Sequence, residues 1–218
     1  MVSAVLRWRW PEGRWGRVTA LGIGLLVALG AAGLWRRGPA APIVAAVQDE
    51  LGLRLVEGHA ELLRAAAEES AVDAFLLGGI MYSESRGRGG QTSSAGAMGL
   101  MQLGLPAAQD AAKRLGLPPP ERDAVLHDDA LNVRLAGSHL AWLLEHAGDW
   151  DLEAVLVSYN AGRAKLMRWS DEHGSYAAWC RSEEEAEAAG RRSTGALHYA
   201  RQTLMAAEKL RERGVISP

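Results

Sequence analysis

Apolar positions along most of this chain recur every three or four residues, the period of helices, and only the opening stretch departs from that rhythm. Residues 18–35, from Val18 to Trp35, form a run of eighteen without a charge. A run of that length is able to span a bilayer. After it, Gly38-Pro39-Ala40-Ala41-Pro42 reads as a short linker, and helical stripes follow one another to the C-terminus. In one of them Leu76, Ile80 and Glu84 fall at i, i+4 and i+8, with Ser70 and Asp73 at capping-box spacing ahead. Asp128 is placed to cap a long helix from Asp129 to Ala147 that stops at Gly148. Asp149 or Asp151 is placed to cap the next, which carries Leu152, Val155, Leu156 and Tyr159 on one side and ends near Gly162. The acidic run Ser182-Glu183-Glu184-Glu185-Ala186-Glu187 reads as the solvated start of a further helix, with Ser182 and Glu185 at capping-box spacing.

Composition supports the same picture. The chain has 218 residues, 48% of them hydrophobic, enough for one core plus an appendage. Ala and Leu are abundant, β-branched runs are few and Phe occurs once, which favours helix over sheet. The expected fold is all-α.

Charge gives the apolar run a direction. Arg7, Arg9, Arg14 and Arg17 precede it and Arg36 and Arg37 follow, so the positive-inside bias keeps the N-terminus cytoplasmic and sends the rest outward. Trp8, Trp10, Trp15 and Trp35 flank it, where indoles suit a membrane interface. Ala28-Leu29-Gly30 offers small residues for a signal peptidase, but the length of the run and the Trp35-Arg36-Arg37 edge favour a retained anchor. The predicted layout is a cytoplasmic segment at 1–17, an anchor at 18–35, a linker and leading helix at 36–56, and a folded domain at 57–213. From Gly38 onward, eighteen Lys and Arg face twenty-five Asp and Glu, a net charge of −7. An acidic exported domain argues against a nucleic-acid partner, and neither zinc-ligand nor phosphate-loop spacing occurs. Cys180 stands alone, so no disulfide can form within the chain. The six histidines are scattered and receive no role.

Glu84 is the residue whose placement calls for chemistry. It ends the apolar stretch Phe75-Leu76-Leu77-Gly78-Gly79-Ile80-Met81-Tyr82-Ser83, on the stripe its neighbours bury. Burial disfavours the charged form of a carboxylic acid and raises its pKa. An acid still protonated near neutrality is what general-acid catalysis requires.

The stretch from Glu84 to Gln102 resembles the signature of the family 1 lytic transglycosylases. In that family the catalytic Glu is followed at once by Ser, then by a second Ser, then by Gly-Ala-x-Gly-Leu-Met-Gln. Here those positions hold Ser85, Ser93, Gly96, Ala97, Gly99, Leu100, Met101 and Gln102. Leu126-His127-Asp128-Asp129-Ala130-Leu131-Asn132-Val133 looks like the family's Leu-x-Asp-Pro-x-x-Asn-Ile, and Ser158-Tyr159-Asn160-Ala161-Gly162 like its Ala-Tyr-Asn-Ala-Gly. The likeness covers roughly residues 57 to 210. Four departures stand out: Gly87 and Gly89 where the family has an aromatic residue and a proline, Pro106 one position late, Asp129 for a proline, and Arg163 for another. The glycines predict a looser loop after Glu84.

The resemblance implies a lysozyme-like helical domain with a catalytic cleft, behind one transmembrane helix. It also implies cleavage of the β-1,4 bond between N-acetylmuramic acid and N-acetylglucosamine in peptidoglycan, yielding 1,6-anhydromuramoyl ends without a cofactor or metal. Glu84 would be the catalytic acid, Tyr159 would orient it, and Ser93, Gln102 and Asn160 would hold the acetamido sugar. Tyr199 resembles a late cleft tyrosine. Partners would be peptidoglycan strands and the inner membrane, with the domain periplasmic; no residue names an envelope-machine partner. A lysozyme-like hydrolase, which would carry a second essential carboxylate, and an inactive wall-binding protein are the competing readings.

Overall fold

The computed structural model describes residues 41–216. The chain divides into two units, Met1–Glu50 and Leu51–Pro218. The predicted cytoplasmic segment and anchor lie outside the described residues. Among the described ones, no helix is long and apolar enough to cross a membrane.

Ten helices follow in order among the described residues: α1 (Ala41–Glu57), α2 (Ala60–Ser70), α3 (Ala74–Ser85), α4 (Leu105–Arg114), α5 (Arg122–His127), α6 (Asp129–Glu145), α7 (Leu152–Ala161), α8 (Arg163–His173), α9 (Tyr176–Ala188) and α10 (Ala196–Arg213). Isolated bridges, Thr92 with Met98 and Met98 with Leu103, are the extended pairings among them. The helical expectation holds. The linker expected up to Pro42 is shorter at its end, because Ala41 and Pro42 already lie in the first turn of α1, a position proline's fixed φ suits.

The core is built around α3. Every residue of α3 from Leu76 to Tyr82 is buried, so this helix is apolar all round and lies inside the domain. Leu63 of α2, Leu135 and Leu140 of α6, Leu156 of α7 and Leu210 of α10 belong to the same buried cluster. Two consecutive glycines set how closely α10 approaches. A Cβ at Gly79 would stand 2.4 Å from the Thr203 carbonyl oxygen, and one at Gly78 would stand 2.9 Å from Leu210. Larger residues there would push the helices apart. At the far end of the pair, Arg211 of α10 binds Asp73 at 2.5 Å and lies over the Phe75 ring, 5.1 Å from its centre.

Side-chain caps begin four of the described helices, with corrections to the expected ones. Asp73 is itself the N-cap of α3, accepting from the N–H groups of Phe75 and Leu76 at 2.7 and 3.2 Å. Ser70, expected to share a capping box with it, is the last residue of α2. Asp128 caps α6 by accepting from Leu131 N–H at 2.9 Å, and that helix ends two residues before the expected Ala147. Asp151 rather than Asp149 caps α7, accepting from Ala154 N–H at 2.9 Å. The acidic run at 182–187 does not begin a helix: α9 starts at Tyr176 under a Ser175 cap, and the acids lie in its later turns. Glu183 is buried and accepts from the N–H and hydroxyl of Thr194 at 2.8 and 2.6 Å. One acid of that run therefore pins the loop that leads into α10, and a period-based reading had no means to separate it from its solvated neighbours.

Candidate active site

Glu84 sits in the last turn of α3, which Arg86 closes in the left-handed region at φ 52°. The chain turns away directly, so the carboxyl is only partly covered. Burial among apolar side chains pushes the Glu84 carboxyl up to about 7, while the Tyr199 hydroxyl facing it from α10 favours the charged form and opposes the rise. Tyr159 approaches from α7. Burial and the Glu84 charge raise both tyrosines well above the usual phenol range, so each is a protonated donor. The Tyr159 hydroxyl donates to the Met101 carbonyl at 3.1 Å. The structure therefore brings together Glu84, Tyr159 and Tyr199, residues that lie 75 and 40 positions apart in sequence.

The loop after Glu84 is packed where it starts, at Gly87, and exposed over residues 88–95. Gly87 has φ +72°, and a Cβ there would stand 2.8 Å from the backbone of Leu55 and Val56 on α1. Its carbonyl is hydrogen-bonded to the His59 ring nitrogen at 3.1 Å. A Cβ at Gly89 would stand 2.6 Å from an oxygen of Asp129. Two departures from the family pattern, Gly89 and Asp129, thus meet in space, each making room for the other. Arg163, a third departure, donates to the His146 carbonyl at 3.1 Å and ties the start of α8 to the end of α6.

Residues 91–103 fold into a small knot held by their own backbone. Ser93 N–H donates to Ala97 O at 2.9 Å, and Met98 and Leu103 exchange two bonds of 3.0 Å each. Side chains complete it. The Gln102 amide donates to the carbonyls of Gln91 and Gly99 at 3.1 and 3.0 Å, from a backbone held at φ +46°. Ser93 Oγ accepts from Ala97 N–H at 3.1 Å. Both residues were expected to hold sugar, and here both shape the loop; Gln102 is half-buried and Ser93 exposed. Asn160 is exposed in the last turn of α7.

Asn132 was not singled out as a site residue, yet it organises this region. It is fully buried on α6, donates to Met98 O and Val125 O at 3.0 and 2.9 Å, and accepts from Met101 N–H at 2.8 Å. Gly99 must be glycine beside it, since a Cβ would stand 2.5 Å from the Asn132 amide. The signal was its place in the Leu-x-Asp-x-x-x-Asn segment. His139 was given no role either. Its ring tilts against Tyr159 at 5.4 Å, and burial with help from Arg114 pulls it down to about 4, against the opposing pull of Asp110. It is therefore neutral near pH 7. A groove of about 560 Å³ between α2 and α6, where Arg134 and Glu69 pair at 2.6 Å, is lined by neither Glu84 nor the two tyrosines. Among the described residues, no group of three or more His, Cys, Asp or Glu is placed to hold a metal.

The described domain is helical, and its central apolar helix ends in a half-buried glutamate facing two tyrosines. The model of the Transglycosylase SLT domain matches residues 61–181, more than half of the chain, and the chain belongs to that family. Among solved structures, it is similar to an inactive mutant of the lytic transglycosylase Slt from Pseudomonas aeruginosa. The TM-score is 0.63 at 20% identity, over 85% of this chain and 29% of that one. That likeness is one of fold, and this chain spans less than a third of the length of the Pseudomonas enzyme. No curated protein matches the chain.

Proposed function

We propose that this protein is a peptidoglycan lytic transglycosylase that cleaves the β-1,4 bond between N-acetylmuramic acid and N-acetylglucosamine and leaves 1,6-anhydromuramoyl ends. The observation that carries the reading is the Glu84 carboxyl, raised to about 7 by burial and faced by two neutral tyrosines. Glycosidases that work with a carboxylate pair hold the second acid within about 5–10 Å of the first. The groups whose ionisation is coupled to that of Glu84 are the phenols of Tyr199 and Tyr159, which suits a reaction in which one acid serves twice.

In the first half, the C1–O4 bond breaks and O4 takes the Glu84 proton, the step for which a carboxyl protonated near neutrality is suited. In the second, the muramoyl C6 oxygen bonds to C1 and gives its proton to the Glu84 carboxylate. The acid is restored and no water is consumed. Tyr199 donates to the carboxylate between the two halves and releases it when the proton returns. Tyr159, anchored on Met101, fixes the wall of the site beside it. Gln102, Ser93 and Asn160 form or flank the loop edge on which the acetamido sugar rests. The same reading places the domain outside the cytoplasmic membrane, held there by residues 18–35.

Digestion of peptidoglycan by the protein and by its Glu84→Gln variant, with mass spectrometry of the soluble muropeptides, tests this. Products lighter by one water than hydrolysis products, absent with the variant, are expected. Reducing ends would make the protein a hydrolase. Binding without release, unchanged in the variant, would make it a wall-binding protein. Resistance of the full chain to alkaline extraction from membranes, lost when residues 1–37 are removed, tests the anchor.

A further inference from the structure

Beyond Tyr199 lies a pair of hydroxyls, Thr203 and Ser83, that the proposed reaction leaves without a part. Thr203 is fully buried on α10, one turn after Tyr199, and its Oγ1 donates to Ser83 Oγ at 2.8 Å. Ser83 immediately precedes Glu84 on α3. The Tyr199 hydroxyl is buried, faces both Glu84 and Thr203, and is held in hydrogen-bond geometry by no protein atom. It has one proton to give. With the Thr203 proton committed to Ser83, the lone pairs of Thr203 Oγ1 are left as an acceptor for that phenol.

We propose that Thr203, held by Ser83, is a positioning residue that offers the Tyr199 proton an acceptor other than Glu84. While Glu84 is a neutral acid, Tyr199 turns to Thr203 and leaves the acid proton free for the glycosidic oxygen. When Glu84 becomes a carboxylate, the phenol turns back to it. The group that stabilises the charged form is thereby withdrawn when the neutral form is needed. The close approach that makes this possible is the one Gly79 allows, since the Thr203 backbone sits where any Cβ at position 79 would be. The titratable groups that face Glu84 are Tyr199 from α10 and Tyr159 from α7, and Tyr159 is committed to Met101.

The inference concerns the acid itself, so it is tested without substrate and separately from the proposed reaction. The Glu84 carboxyl carbon is followed by NMR against pH in the full-length chain labelled at glutamate, with Glu84→Gln to assign the signal. Thr203→Val removes the alternative acceptor, so Tyr199 serves only the carboxylate. Its midpoint should fall by about half a pH unit or more, the scale of a hydrogen bond to a charged group. Ser83→Ala frees the Thr203 proton to occupy the phenol oxygen and should move the midpoint the same way. Thr203→Ser keeps the hydroxyl and should match the wild type. Tyr199→Phe should raise the midpoint, and adding Thr203→Val to it should produce no further shift. A midpoint unmoved or raised by Thr203→Val, or lowered by it equally in the Tyr199→Phe background, overturns the proposal. If Thr203→Val does not fold, Ser83→Ala alone and within Tyr199→Phe decides by the same criteria.

Discussion

Replacing Glu84 by Gln should stabilise the folded protein, and by an amount that depends on pH. The carboxyl has its midpoint near 7 in the fold against 4.5 when exposed, because burial penalises the charged form. A raised acid pKa means the native state holds the proton more tightly than the unfolded chain. Below pH 4.5 both states are protonated and the group contributes nothing to the pH dependence. Between 4.5 and 7 the unfolded state ionises while the native state resists, so stability falls as pH rises. Above 7 both are ionised and the loss is complete. At about 1.4 kcal/mol per pKa unit, the difference of two to three units amounts to about 3 kcal/mol. Glutamine has nearly the same shape and no charge to desolvate. Denaturant unfolding of the wild type and Glu84→Gln should therefore give similar stabilities near pH 4, a gap opening between pH 4.5 and 7, and a plateau of about 3 kcal/mol in favour of the variant by pH 8. A gap that is constant over that range would refute the burial argument, and with it the claim that the fold keeps this acid protonated.

The same midpoint predicts that kcat/KM on peptidoglycan falls about tenfold per unit above pH 7, as the acid form disappears; a fall beginning near pH 4.5 would contradict it. Asn132→Ala leaves Met101 N–H and the Val125 carbonyl buried without their partner, while the Met98 carbonyl keeps Leu103 N–H, and at about 1–3 kcal/mol for each orphaned group the loss should be about 2 kcal/mol or more in denaturant unfolding. Gly79→Ala sets a methyl 2.4 Å from backbone that no rotamer change can move. It should cost about 2 kcal/mol or more and lower activity through Tyr199 even where the protein remains folded.

Much of the fold and part of the site were legible in the sequence because they rest on local physics. Period and caps placed α6 and α7 with Asp128 at the head of the first, and the i, i+4, i+8 stripe placed Glu84 on a buried face. Those features depend on residues within a few turns of one another. Reading the acids at 182–187 failed for the same reason: Glu183 differs from its neighbours only in meeting Thr194, which belongs to a different segment.

By itself the sequence determined that the described domain is helical, that one acid ends an apolar helix, and that a tyrosine closes the stripe on α7. Tertiary structure decided which groups meet that acid. Tyr199 reaches it, and Thr203 reaches Ser83 beside it, because Gly78 and Gly79 let α10 close on α3, and Asn132 fixes the loop because Gly99 leaves space for its amide. Whether burial leaves Glu84 charged or neutral also depends on those packed neighbours. Periodicity encodes which face of a helix turns inward, whereas the distance between two helices is set by the side chains of both, and that information is not local to either.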